Sequence, residues 1–168
     1  MNSLILSHNF YSDLESLSNL ISTMEFEDRL FGQEIKDFNF IPQGISDHFK
    51  FDLKETLEVQ PDTGVFRKPN SMIHFEPFYQ HCQWLCVVAL EDTILNIHEQ
   101  DNIRSVYDVE NAEEFLLNNG NKPENWISRV NINMKKNDYV FIRPGLWYSL
   151  EESKLVQIFL LNQTIEEE

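Results

Sequence analysis

The chain has little cysteine, little basic charge and no long apolar run. Its 168 residues include only two cysteines, Cys82 and Cys86. They lie four residues apart on an apolar stretch, with no further cysteine to pair with. This spacing suits neither a disulfide framework nor a four-ligand zinc site, so free buried thiols in a reducing compartment are expected. Thirteen Lys and Arg stand against twenty-eight Asp and Glu, a formal charge of −15. Such a surface repels phosphate backbones and anionic lipid, so neither a nucleic-acid partner nor a membrane partner is expected, while a basic protein partner would be attracted. No stretch approaches the roughly 18 apolar residues that a membrane helix needs. The first residues lack the basic segment and small-residue cleavage site of a secretion signal, so a cytoplasmic location is expected. A glycine-rich phosphate loop, a G-x-S-x-G elbow and a Cys/His nucleophile pairing are also missing.

Aromatic and aliphatic side chains are plentiful. Hydrophobic residues make up 42% of the chain, with thirteen Phe, five Tyr and three Trp. That is enough apolar material for a core without metal or disulfide staples. The length suits one domain spanning residues 1–168. Leu4-Ile5-Leu6 reads as a short strand. Ser12 and Glu15 have the spacing of a capping box, and Leu14, Leu17, Ile21 and Met24 recur at helical intervals, which predicts a helix over about 13–24. Residues 27–63 carry loop markers at Pro42, Gly44 and Pro61 but no clear period.

From Gly64 the pattern becomes that of short strands, which places a β-barrel core over about 64–162. Met72, His74 and Glu76 alternate with Ile73 and Phe75. Trp84 to Leu90 is continuously apolar, and Thr93 to His98 alternates again. Residues 110–119 read as a helical insertion ending at Gly120, expected as a glycine of positive φ. Val130, Ile132 and Met134 share a face of another strand. Asp138 to Ile142 is a further strand, Pro144-Gly145 a tight turn, and Leu155 to Leu161 a last buried strand.

Two segments carry the chemistry. In Ile73-His74-Phe75-Glu76, a histidine and a carboxylate two apart on a strand point to one face, as metal ligands at a barrel mouth would. In Asn137 to Tyr148, a polar turn, a buried strand and a Pro-Gly turn bring Tyr148 onto a neighbouring strand. His98, Glu99 and Asp101 form a polar cluster at a strand end. Phe75, Phe78, Tyr79 and Trp84 could line a pocket, although core packing accounts for them equally well.

On these residues the chain resembles the 2-oxoglutarate/Fe(II) oxygenase superfamily within the cupin fold, in particular the short oxygenase-like proteins carried by bacteriophages. Asn9-Phe10-Tyr11-Ser12-Asp13 before a helix resembles the opening of such proteins. His74-Phe75-Glu76 matches the family's H-x-[D/E], and Asp138 to Tyr148 matches its second motif in spacing. The resemblance implies a mostly β fold, a double-stranded β-helix (jelly-roll) with an N-terminal helix and a helical insertion. It also implies iron at His74 and Glu76, with 2-oxoglutarate held by an Arg or Lys.

The sequence departs from the family at two positions. Tyr148 stands where the distal histidine ligand belongs, and a phenol of pKa near 10 is a poor ligand for ferrous iron at neutral pH. The cosubstrate anchor, expected about ten residues further on, is missing, and only Arg143 and Lys154 lie near. The expectation is therefore a barrel without the standard iron triad, acting as a binding or structural module, as a phage accessory or virion component. The alternatives are an active Fe(II)/2-oxoglutarate dioxygenase, with water, His98 or Tyr148 as third ligand, and a cupin-like small-molecule binder or isomerase.

Overall fold

A computed structural model describes residues 4–29, 32–42, 45–54, 57–60, 63–75, 82–120 and 122–163. Its strands are β1 (Leu4–Ser7), β2 (Phe26–Arg29), β3 (Gly32–Asn39), β4 (Leu57–Val59), β5 (Val65–Pro69), β6 (Trp84–Ala89), β7 (Thr93–Glu99), β8 (Ile127–Met134), β9 (Tyr139–Ile142), β10 (Trp147–Leu150) and β11 (Val156–Gln163). Its α-helices are α1 (Leu14–Ser22), α2 (Ile45–Leu53) and α3 (Ala112–Asn119).

The strands pair in two antiparallel sheets. The large sheet runs β1-β9-β6-β11-β5-β3-β2 with β4 also on β11, and the small one runs β10-β7-β8. His74 extends the small sheet beyond β10 by a two-bond bridge to Tyr148: each backbone N–H donates to the other's carbonyl at 2.9 Å. From β5 onward the chain steps between the sheets. β5, β6, β9 and β11 lie in the large sheet, and the His74 bridge, β7, β8 and β10 lie in the small one. This is the double-stranded β-helix implied by the resemblance, with two helices, α1 and α2, before β5 and one, α3, inserted between β7 and β8.

Alternation along each strand sorts the side chains into three apolar layers. Between the sheets lie Leu85, Val87, Val140, Ile142 and Ile158, facing Leu95, Ile97, Ile132, Met134 and Tyr148. The other face of the large sheet carries Trp84, Cys86, Val88, Phe141 and Phe159, covered by Leu14, Leu17 and Ile21 of α1 and Phe49 of α2. The outer face of the small sheet carries Trp147, capped by Leu116 of α3 together with Ile73, Phe75 and Trp126. Both cysteines are free thiols, and burial pushes the Cys86 thiol well up.

Local detail corrects two expectations. The N-cap of α1 is Asp13, whose carboxylate accepts from Ser16 N at 3.1 Å, so the Ser12–Glu15 box does not start the helix and α1 ends at Ser22. Gly120 closes α3 as expected but with an ordinary helical φ of −60°. Its lack of a side chain serves close approach. A Cβ there would stand 2.8 Å from Leu116 O and 3.1 Å from Ile73 O. Gly145, by contrast, does take a positive φ of 90° in the Pro-Gly turn.

Residues 27–63, unreadable in the sequence, hold β2, β3, α2 and β4. The loop before β5 is fastened from inside the helix-covered layer by Gln157. This side chain is fully buried, donates to Phe40 O at 2.8 Å and Gly64 O at 3.0 Å, and accepts from the Tyr11 hydroxyl. Burial pushes the Tyr11 pKa up, so its hydroxyl remains a donor. Replacing Gln157 by Leu would deprive Phe40 O and the partly buried Tyr11 hydroxyl of this partner. The expected cost is about 1–3 kcal/mol for each such group. Urea denaturation should show a lower midpoint at unchanged slope.

Candidate functional site

The His74–Tyr148 bridge fixes what faces the barrel interior. Residues opposite one another in an antiparallel pair share a face. Tyr148 lies opposite Ile97, and both belong to the layer between the sheets. The Tyr148 ring is fully buried, and the His74 ring packs on it with centroids 4.3 Å apart. The structure thus brings these two residues onto one another. His74 Nδ1 lies 2.8 Å from Met72 O. A carbonyl only accepts, so Nδ1 carries a proton and Nε2 is the basic nitrogen when the ring is neutral. Glu76 lies outside the described residues, as do Phe78 and Tyr79.

The other candidates do not join this pair. Tyr139 and Phe141 belong to the helix-covered layer, and Arg143 follows at the same parity. Its guanidinium stacks over Trp84 at 3.8 Å and donates to Gln83 O at 3.1 Å. This is the face of the large sheet turned away from Tyr148. Lys154 lies in the β10–β11 turn, at the opposite end of β10 from Arg143. His98 pairs with Trp147, so its ring lies on the outer face of the small sheet, while Glu99 holds Arg104 at 3.3 Å. Phe75 packs on Trp147 in the outer layer. Trp84 packs on Phe141 in the helix-covered one.

The sequence reading missed Arg67. In β5 it lies opposite Val156, an interior residue, and its guanidinium is buried against Glu34 of β3, at 2.8 and 3.0 Å. A buried cation on the interior side of the large sheet is thus already matched by a carboxylate. Its alternation with Phe66 was visible in the sequence, but the pairing of β3 with β5 was not.

Among the described residues, which do not include Glu76, the site offers an imidazole stacked on a phenol, and no three His, Cys, Asp or Glu side chains converge.

A cleft of about 300 Å³ opens on the outer face of the small sheet, at the corner where α3 ends. Met72, Ile73, His98, Gly120, Pro123 and Ser149 line it. His98 Nε2 and Ser149 Oγ lie 2.7 Å apart in a hydrogen bond. Ser149 was not singled out in the sequence. The available signal was its position, one residue beyond Tyr148 and therefore on the opposite face.

Two solved structures match this chain. Both are of HygX from Streptomyces hygroscopicus, one with nickel and 2-oxoglutarate bound and one with hygromycin B as well. The first has a TM-score of 0.54 at 10% identity, covering 97% of this chain and 84% of HygX. The second has a TM-score of 0.53 at the same identity and coverage. The likeness shows the fold. No family model matches the chain, and no curated protein matches it.

Burial lowers the His98 pKa to about 4 from an ordinary value near 6.5. Between these values the unfolded chain binds a proton at this residue that the folded chain does not, so folding stability from His98 is complete above about pH 6.5 and is lost as pH falls toward 4. A His98→Asn variant should lose less stability than the parent between pH 7 and pH 4.5. Chemical denaturation at the two pH values measures this difference.

Proposed function

We propose that this chain is an oxygenase-fold protein that works as a binding or structural module, without the oxygenase iron triad. The observation that carries this reading is Tyr148, fully buried and packed on His74, a residue that the resemblance of the Asp138 to Tyr148 motif aligns with the family's distal histidine. Two placements lend further support. Arg143 is engaged with Trp84 on the far side of the large sheet, and Arg67 on the interior side is engaged with Glu34. Function belongs to the site rather than to the fold, so likeness to an oxygenase does not carry its activity across. A role as a phage accessory or virion component rests on the sequence resemblance to short oxygenase-like proteins of bacteriophages alone.

One observation favours a second reading, an Fe(II)/2-oxoglutarate dioxygenase using His74 and Glu76. Metal-binding histidines commonly donate their other ring N–H to a backbone carbonyl, as His74 does to Met72. The structures of HygX hold nickel and 2-oxoglutarate in the same fold. This reading requires a third ligand, and it requires an anchor for the cosubstrate.

Protein purified without chelator should carry no stoichiometric metal, and calorimetry with Mn(II) and 2-oxoglutarate should show no binding. Tyr148→His, checked for folding by circular dichroism, should create a metal affinity that the parent lacks. Stoichiometric metal in the parent that disappears in His74→Ala would overturn the proposal in favour of the dioxygenase.

A further inference from the structure

The small sheet carries a polar pair on each face, and the two differ in access. The inner pair, His74 and Tyr148, is closed within the barrel. The outer pair, His98 and Ser149, forms part of the wall of the cleft at the end of α3. We propose that this cleft binds a small uncharged molecule rich in hydroxyl groups, about the size of one sugar ring. Its volume of about 300 Å³ lies at the lower end of the usual range for ligand pockets.

The lining chemistry selects such a ligand. Met72, Ile73 and Pro123 offer apolar walls to a C–H skeleton. With its pKa near 4, His98 is neutral at pH 7, so the lining bears no charge. A charged ligand would lose water there without gaining a counter-charge, and an anion would also meet the field of a chain of net charge −15. The His98–Ser149 bond can run in either direction. When Ser149 donates to Nε2, its oxygen accepts from the ligand. When Nε2–H donates to Ser149, the serine proton is available to the ligand. A hydroxyl is both donor and acceptor, so it suits either state.

Gly120 keeps this corner closely packed. A side chain there would stand 3.0 Å from Met72 Cε and 3.1 Å from Ile73 O, prying α3 away from the segment that forms one wall. The cleft lies on the opposite face of the sheet from Tyr148, so its occupation does not depend on what the interior holds.

The test follows the imidazole nitrogen resonances of His98 by NMR in the full chain, with His74 as the internal control. The probes are glycerol, glucose and N-acetylglucosamine, with methylammonium and sulfate as charged comparisons. At least one neutral probe should shift the His98 resonances saturably while leaving those of His74 in place. Ser149→Ala should weaken that probe about tenfold, the loss of one good hydrogen bond. Pro123→Trp, a change at an exposed rim position that spares the core, should block the probe even if the serine variant folds poorly. The proposal is overturned if no neutral probe saturates, if a charged one saturates equally well, if His74 responds in place of His98, or if Pro123→Trp leaves binding unchanged.

Discussion

Two backbone hydrogen bonds between His74 and Tyr148 govern the rest of the architecture. They attach a single-residue rung to β10, giving the small sheet a fourth member and placing a barrel wall opposite the large sheet. They also set parity. With residue 148 facing in, residues 147 and 149 must face out, and with residue 74 facing in, residues 73 and 75 must face out. The tyrosine ring thereby enters the packed interior, while the serine beside it reaches an open corner. A register shift of one residue would exchange them, exposing an aromatic ring and burying a hydroxyl. The apolar layers on both sides of the sheet hold the register against such a shift.

Few cations are present, and the structure shows how several are used. Arg67 is buried against Glu34, Arg29 pairs with Glu27 on the surface, Arg104 pairs with Glu99, and Arg143 and Lys68 lie over aromatic rings. These contacts spread positive charge over separate parts of the molecule. The exposed pairs contribute little to stability. The Arg67–Glu34 pair differs because separating it would leave a buried charge unmatched. It also joins β3 to β5, securing the outer part of the large sheet.

The strands from residue 64 onward were legible because each carries its own periodic signal. Trp84–Ala89 is apolar on both faces because both faces are covered, and Thr93–Glu99 alternates because its outer face is only partly so. Residues 27–63 gave no such signal. β2 and β3 take their places through pairing with each other and with β5, and the sequence does not display a register set by distant partners. α2 carries Ile45, Phe49 and Leu53 at helical spacing, but its nine residues make too short a run among loop markers to stand out. Within the site, the placing of Tyr148 on the strand after β9 was readable because a strand, a tight turn and another strand leave few alternatives. Arg143 is close to Tyr148 in sequence but shares the parity of Tyr139 and Phe141, which proximity in sequence does not display. The cap of α1 was one residue off because Ser12 and Asp13 both suit the role, and only backbone geometry separates them.

The N-terminal strand finds its partners very late in the chain. β1 pairs with β9, and Tyr11 is clamped by Asn137, which accepts from its N–H at 2.8 Å and donates to its carbonyl at 2.7 Å. More than a hundred residues separate the members of each pairing. During synthesis, residues 4–11 must therefore wait for their partners until β9 and the turn before it have been made. Such long-range closure makes for slow folding, and the waiting segment is the one most in need of protection from wrong partners.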